Sequence, residues 1–138
     1  MTSPAPGQED SLPITADGDV VRVRHLVRSY AQSAKLSLVD QTKLVTAASE
    51  LARNTLTHGG GGAATVAIVS NGRRSGVRAT FHDDGPGIPD VALALTDGWT
   101  SGTGLGLGLS GARRLVDEFD LQTEAGQGTT VTVVKWVR

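Results

Sequence analysis

Apolar residues recur along this chain in two rhythms. Val20, Val23, Leu26, Val27 and Tyr30 fall at three- and four-residue intervals, the spacing of one helix face. Asp19 stands where an N-cap belongs, and Arg22, Arg24 and Arg28 lie mostly off the apolar stripe. A helix is therefore expected from Asp19 to near Lys35. Val39, Leu44, Ala48, Leu51 and Leu56 predict a second, from about Val39 to His58, stopped by the run Gly59–Gly62. Leu105, Leu109, Ala112, Leu115, Val116 and Phe119 predict a third. Elsewhere the period is two. Thr65–Ser70 is β-rich, Asn71-Gly72 is a hairpin signal, and Val77–Asp83 returns. In that returning strand Val77, Ala79 and Phe81 face one way and Arg78, Thr80 and His82 the other, so Asp83 points to the buried side. Ser11–Ile14, Leu121–Thr123 and Thr129–Trp136 read as further strands, with Gly126-Gln127-Gly128 turning between the last two. Residues 1–10 read as a disordered tail and 11–138 as a single domain. Local strand pairs and helices gathered on one side make an α+β two-layer α/β sandwich. Its sheet is expected to be mixed but mostly antiparallel, with three main helices on one face.

Composition narrows the chemistry. The 138 residues carry 13 Lys and Arg against 14 Asp and Glu, a net charge of −1. That is no field for nucleic acid. With no cysteine, disulfides and thiol catalysis are excluded. No apolar run of membrane-spanning length and no signal sequence is present, so no membrane partner and a cytoplasmic location are expected. Glycine is the outlier, 18 residues, about twice the usual share.

Four pieces of sequence carry candidate chemistry. Glu50 and Asn54 are one helical turn apart and share a face. An amide oxygen there suits a phosphate-bound magnesium ion, which takes few protein ligands. A carboxylate beside it suits a proton acceptor. Taken alone, the pair reads more simply as a solvated helix face. In Asp83-Asp84-Gly85-Pro86-Gly87 an acid ends a strand on its core side, ahead of a glycine turn. A turn accounts for the glycines but not for an inward acid, which needs a donor such as a purine amine. Gly102-Thr103-Gly104-Leu105-Gly106 and Gly108 run into a helix start, where backbone N–H groups can grip phosphate. A linker would not need the alternating leucines. Last, Thr129 shares parity with Val131 and Val133, so its hydroxyl is expected on the helix side.

E-x-x-x-N, D-x-G-x-G, a glycine lid and G-T-T, in this order, resemble the Bergerat-fold (GHKL) ATPases over roughly residues 12 to 138. Within them, residues 47–54, 84–90 and 97–136 are most similar to the RsbT-like stressosome switch serine/threonine kinases. The resemblance implies an ATP- and Mg2+-dependent kinase. Glu50 would be the general base, Asn54 the magnesium ligand, and Asp83 the adenine-reading acid supported by Thr129. Gly85 and Gly87 would form the nucleotide turn, and Gly102, Thr103, Gly104, Leu105, Gly106 and Gly108 the lid and phosphate grip. It implies RsbS-like and RsbR-like STAS-domain proteins as substrates and an RsbU-like phosphatase as the partner then activated. The four-glycine run Gly59–Gly62, where some relatives are bulkier, is expected to alter the partner surface and not catalysis.

Three alternatives share parts of this pattern. An anti-sigma factor kinase would carry the same ATP motifs and hold a sigma factor. A histidine kinase catalytic domain normally adjoins a segment with an accepting histidine, and His25, His58 and His82 are scattered. A nucleotide sensor would not need Glu50. Arg113 and Arg114 read as a solvated helix edge, Trp99 as a loop residue able to touch a partner, and Trp136 as an anchor in the core or at its edge.

Overall fold

The computed structural model describes residues 4–88, 90–95 and 108–138. Its order is β1 (Glu9–Ile14), α1 (Asp17–Ser33), α2 (Leu38–Thr57), β2 (Gly62–Ser70), β3 (Ser75–Asp83), α3 (Val91–Ala94), α4 (Leu109–Leu115), β4 (Glu118–Glu124) and β5 (Gly128–Trp136). The strands form one sheet in the order β1-β2-β3-β5-β4, and every neighbouring pair is antiparallel. This is the two-layer α+β sandwich read from the sequence. The sheet is antiparallel throughout the described strands, because each new strand after β2 pairs by a local turn or returns beside β3.

Register decides what faces the helices. Ala64, Phe81, Val131 and Leu121 form one inward row across four strands, and Val66, Ala79, Val133 and Phe119 lie in line toward the other end. Val20, Val23, Val27, Leu44, Ala48 and Leu51 from α1 and α2 close over them, all buried. Burial of this kind is worth about 1.5–3 kcal/mol for each large side chain.

Several boundaries differ from the sequence pattern for definable reasons. The first strand begins at Glu9, two residues into the expected tail, because Glu9 and Asp10 pair with Ala67 and Val66. The buried Tyr30 hydroxyl donates to Asp10 (2.5 Å), and Ser33 Oγ donates to the Pro4 carbonyl, which ties residues 4–10 to α1. Asp19 is not the N-cap of α1. It sits one turn inside, and its Oδ2 accepts from Thr15 N (2.9 Å), Thr15 Oγ1 and Ala16 N, so it satisfies the open helix start from within. The β2–β3 turn spans residues 71–74 instead of two. Asn71 Oδ1 accepts from Arg73 N and Arg74 N, and the side chain stands in for a strand partner. The third expected helix is shorter. It begins after Gly108 and ends at Leu115, and Phe119 belongs to β4, where Phe119, Leu121 and Thr123 alternate opposite β5.

The buried charge at the far end of the sheet was not legible in the sequence. Lys135 is 3 % exposed, faces inward, and meets Asp117 Oδ1 (3.4 Å) and Asp40 Oδ1 (3.6 Å). Arg138 adds a second cation to the same two carboxylates. This quartet joins the start of α2 to the end of β5. Burial would raise the Asp117 carboxyl. The Trp136 N–H bond and the charges of Lys135 and Arg138 outweigh it and hold the carboxyl below its usual range. A depressed folded value stabilises above the unfolded pKa near 4 and is lost as pH falls through the folded value. Lys135→Ala is therefore expected to cost about 3 kcal/mol in urea melts at pH 7, with the difference shrinking below about pH 4.

Candidate nucleotide site

At the opposite end of the sheet an inward row runs Gly62, Asp83, Thr129, Thr123 across β2, β3, β5 and β4. Asp83 is 6 % exposed and Thr129 equally so. The alternation of β3 and β5 puts both there, as parity requires. Thr129 Oγ1 bonds Thr123 Oγ1 (2.9 Å), and Asp83 Oδ1 accepts from Gly85 N (2.9 Å). One carboxylate oxygen of Asp83 is thus spoken for by its own turn, and among the described residues no donor bonds the other.

Above this row lies α2. Leu51, Asn54, Thr55 and His58 line one side of a cavity. Phe81, Asp83, Thr129 and Val131 form its floor, and Ile88 and Leu109 close it. Apolar walls around one buried acid and one hydroxyl suit a flat heterocycle with an exocyclic amine. The enclosed volume is about 20 Å³, room for about one water, so a ring enters only when a wall parts.

The turn after Asp83 is held from three sides. Gly126 N donates to the Pro86 carbonyl (2.8 Å), Ile88 N donates to Thr123 Oγ1 (2.8 Å), and His58 Nε2 lies 3.2 Å from the Gly87 carbonyl. Gly87 has φ +78° and its Cα faces the Glu124 carbonyl, so it needs glycine twice over. Gly85 has an ordinary φ. It is glycine because a Cβ would meet the Gly59 carbonyl at 2.7 Å.

Glu50 is exposed, one turn before the half-buried Asn54. Gly108, with φ +67°, caps the start of α4 directly beside it, where a Cβ would stand 2.5 Å from Glu50 Oε2. Gly108 therefore leaves space for the Glu50 carboxylate. Gly102, Thr103, Gly104, Leu105 and Gly106, with Trp99, lie outside the described residues. Among the described residues no group of three acidic or histidine side chains could hold a metal by itself. The Asn54 amide oxygen at the mouth fits a magnesium ion that arrives with phosphates and keeps much of its own shell, which leaves the Glu50 carboxylate beside it to accept a proton.

Two residues of the site escaped the sequence reading. His58 lines the cavity and ties the end of α2 to the Gly87 turn. Gly59 is the stronger case, and it corrects the expectation that Gly59–Gly62 bears only on a partner surface. A Cβ on Gly59 would fall 2.3 Å from Asp83 Cγ, and one on Gly62 1.9 Å from the His82 carbonyl. Gly59→Ala is expected to displace Asp83 and weaken ATP binding at least tenfold, with far-ultraviolet circular dichroism unchanged. Titration calorimetry reads the first quantity. Arg113 and Arg114 are exposed on the last turn of α4, and Trp136 packs at the end of β5 over Gly76, with Nε1 donating to Glu118 Oε2.

Comparison with known proteins gives the family and the fold. The model of the histidine kinase-, DNA gyrase B-, and HSP90-like ATPase family matches residues 39–137. The serine/threonine-protein kinase RsbT of Bacillus subtilis (strain 168) is 40% identical over 125 residues, which are 91% of this chain and 94% of that protein. Among solved structures, the RsbU and RsbW domains of Rv1364c from Mycobacterium tuberculosis superpose with a TM-score of 0.68 at 22% identity. That match covers 97% of this chain and only 34% of the other, so this chain spans about a third of that structure. The nucleotide-free catalytic domain of the histidine kinase ThkA gives 0.52 at 16% identity, over 94% of this chain and 95% of that one. Both structures speak for the fold. No helix of the described residues is long and apolar enough to cross a membrane.

Proposed function

We propose that this chain, which belongs to the histidine kinase-, DNA gyrase B- and HSP90-like ATPase family, is a serine/threonine protein kinase of a bacterial partner-switching pathway. The observation that carries the reading is the convergence at one end of the fold. Asp83 and Thr129 face each other on the floor, Asn54 stands over them, and Glu50 lies one turn further out. The serine/threonine-protein kinase RsbT of Bacillus subtilis, matched over 94% of its length at 40% identity, supports the reading.

Each residue has a task in phosphoryl transfer. Asp83 uses its free carboxylate oxygen to accept from the adenine amine, and the Thr129 hydroxyl completes the polar floor. Leu51, Phe81 and Val131 cover the ring faces. The adenine end thus fixed, the phosphates extend toward the mouth, where Asn54 supplies an oxygen to magnesium. Magnesium, when bound, offsets charge that builds on the phosphate oxygens. Glu50 takes the proton from a serine or threonine hydroxyl of the substrate protein. That oxygen bonds to the γ-phosphorus while the bond to the β,γ-bridging oxygen breaks, and ADP leaves. Exposure of Glu50 suits this task, since the acceptor is a protein side chain arriving from outside. Gly102 to Gly106 and Gly108 are assigned to the lid and phosphate grip.

The substrates on this reading are RsbS-like and RsbR-like STAS-domain proteins, and an RsbU-like phosphatase is the partner activated by the released kinase. The test is transfer of label from ATP, with magnesium, to the STAS proteins of the same organism. Acid-stable label on a STAS protein, lost in Asn54→Ala, supports the reading. ATP binding without transfer to any STAS protein, together with capture of a sigma factor, moves it to an anti-sigma factor kinase.

A further inference from the structure

The end of the molecule remote from Asp83 carries a groove that the proposed chemistry does not use. The corner between α1 and α2, the β2–β3 turn and the end of β5 meet there. The groove holds about 350 Å³ and is lined by Lys35, Arg73, Arg74 and Arg138, with Ala34 and Val137 between them. The ladder from Asp83–Thr129 to Gly76–Trp136 spans seven residues. That separates the groove from the nucleotide site by about 23 Å.

Its charge is out of proportion to the rest of the chain. The whole sequence nets −1, yet four of its 13 cations line this one groove. The Lys135–Arg138–Asp40–Asp117 quartet balances to zero, two cations against two carboxylates. Lys35, Arg73 and Arg74 are left exposed, and no described acidic side chain forms an ion pair with them. Lys35 is also held at φ +68°, the one described non-glycine residue with a positive value. That backbone conformation costs energy. Three and four residues on, at most about 14 Å along the chain, stand Leu38 and Val39. They are 73% and 64% exposed, two of the three large exposed apolar residues described.

We propose that this groove docks an acidic, amphipathic segment of a partner protein. Its carboxylates pair with Lys35, Arg73 and Arg74, and its apolar side chains cover Leu38 and Val39. The planar guanidinium groups of Arg73 and Arg74 suit two-pronged carboxylate pairing. A protein segment fits better than nucleic acid or a lipid surface on two counts. Nucleic acid would leave the Leu38–Val39 pair unused, and an anionic lipid surface is held by clusters of about four to eight cations, more than the three free here. Glu118, bonded to Trp136 at this same end of the sheet, opposes a long polyanion. Charge pairing of this type sets association rate and partner choice, and so is weakened by salt.

The test is an amide chemical-shift titration of the full chain with a twelve-residue peptide of glutamates with leucines at helical spacing. The probes beside it are the same peptide with glutamine for glutamate, a twelve-nucleotide oligothymidylate, and phosphatidylserine vesicles. Expected are saturable shifts confined to residues 34–39, 73–75 and 137–138, with tenfold or greater weakening in Lys35→Glu/Arg73→Glu/Arg74→Glu. ATP affinity in that variant is expected to equal wild type, which separates this proposal from the nucleotide reading. Should the triple variant melt early, Arg73→Gln/Arg74→Gln carries the same comparison. Absence of binding, equal binding by the variant, shifts elsewhere, or tighter binding of oligothymidylate or vesicles would each overturn the proposal.

Discussion

Glu50→Gln is expected to lower phosphoryl transfer by about 10²- to 10⁴-fold, the usual worth of a positioned general base. ATP affinity in the same variant is expected to stay within about threefold of wild type, under 1 kcal/mol. The split follows from where Glu50 lies. It is exposed and one turn beyond Asn54, so it contributes nothing to the adenine floor. Glutamine keeps the size of the side chain beside Gly108, where a Cβ would already stand only 2.5 Å from Glu50 Oε2. The packing of α4 on α2 therefore survives, and only the proton-accepting oxygen is lost. Single-turnover transfer and equilibrium ATP binding measure the two quantities separately. Transfer above a tenth of wild type would remove Glu50 from the role of base. A parallel fall in affinity would mean that it holds the nucleotide.

The second large effect is at the floor. Asp83→Asn is expected to weaken ATP binding about 100-fold or more, roughly 2.7 kcal/mol. Asparagine can still accept from Gly85 N through its carbonyl, so the turn keeps the 2.9 Å bond. Its other atom becomes an NH2 group facing the adenine amine. Two donors then meet in a buried place where one acceptor stood, and both lose their partner. The stability of the variant should change little by comparison, because the apolar row beneath is untouched. Calorimetric titration of the folded variant with ATP decides the matter. Binding within fivefold of wild type would mean that the second oxygen of Asp83 does not read the base. Gly59→Ala reaches the same carboxylate from α2's end, so the two variants should fail in the same way, by affinity and not by rate.

Much of this architecture was readable from residue order because it rests on local rules. The alternation Val77, Ala79, Phe81, Asp83 assigned an acid to the core face without any knowledge of its partners, and Asp83 is 6 % exposed. The parity of Thr129 with Val131 and Val133 did the same on β5, and the ladder then sets Thr129 opposite Asp83. Helical spacing placed Glu50 and Asn54 on one face of α2. Where local signals competed, the reading slipped. Phe119 continued a helical stripe and also began a strand alternation, and pairing with Val133 decided for the strand. Asp19 matched an N-cap in type but serves the helix start from one turn inside.

By itself the sequence determined the period of each element, the face each side chain takes and the order of the nucleotide motifs, since these depend on neighbours a few residues apart. Tertiary structure alone decided what those faces meet. Gly59 and Gly85 are glycines because two segments 26 residues apart in sequence press together, Gly59 against the Asp83 side chain and Gly85 against the Gly59 backbone. Lys135 is buried because Asp40 and Asp117, from the start of α2 and the link between α4 and β4, arrive together to neutralise it. Lys35, Arg73, Arg74 and Arg138 form one groove only once the α1–α2 corner, the β2–β3 turn and the end of β5 meet at one end of the sheet. Contacts of that kind carry no periodic signal, because the energy that selects them appears only after the chain has closed on itself.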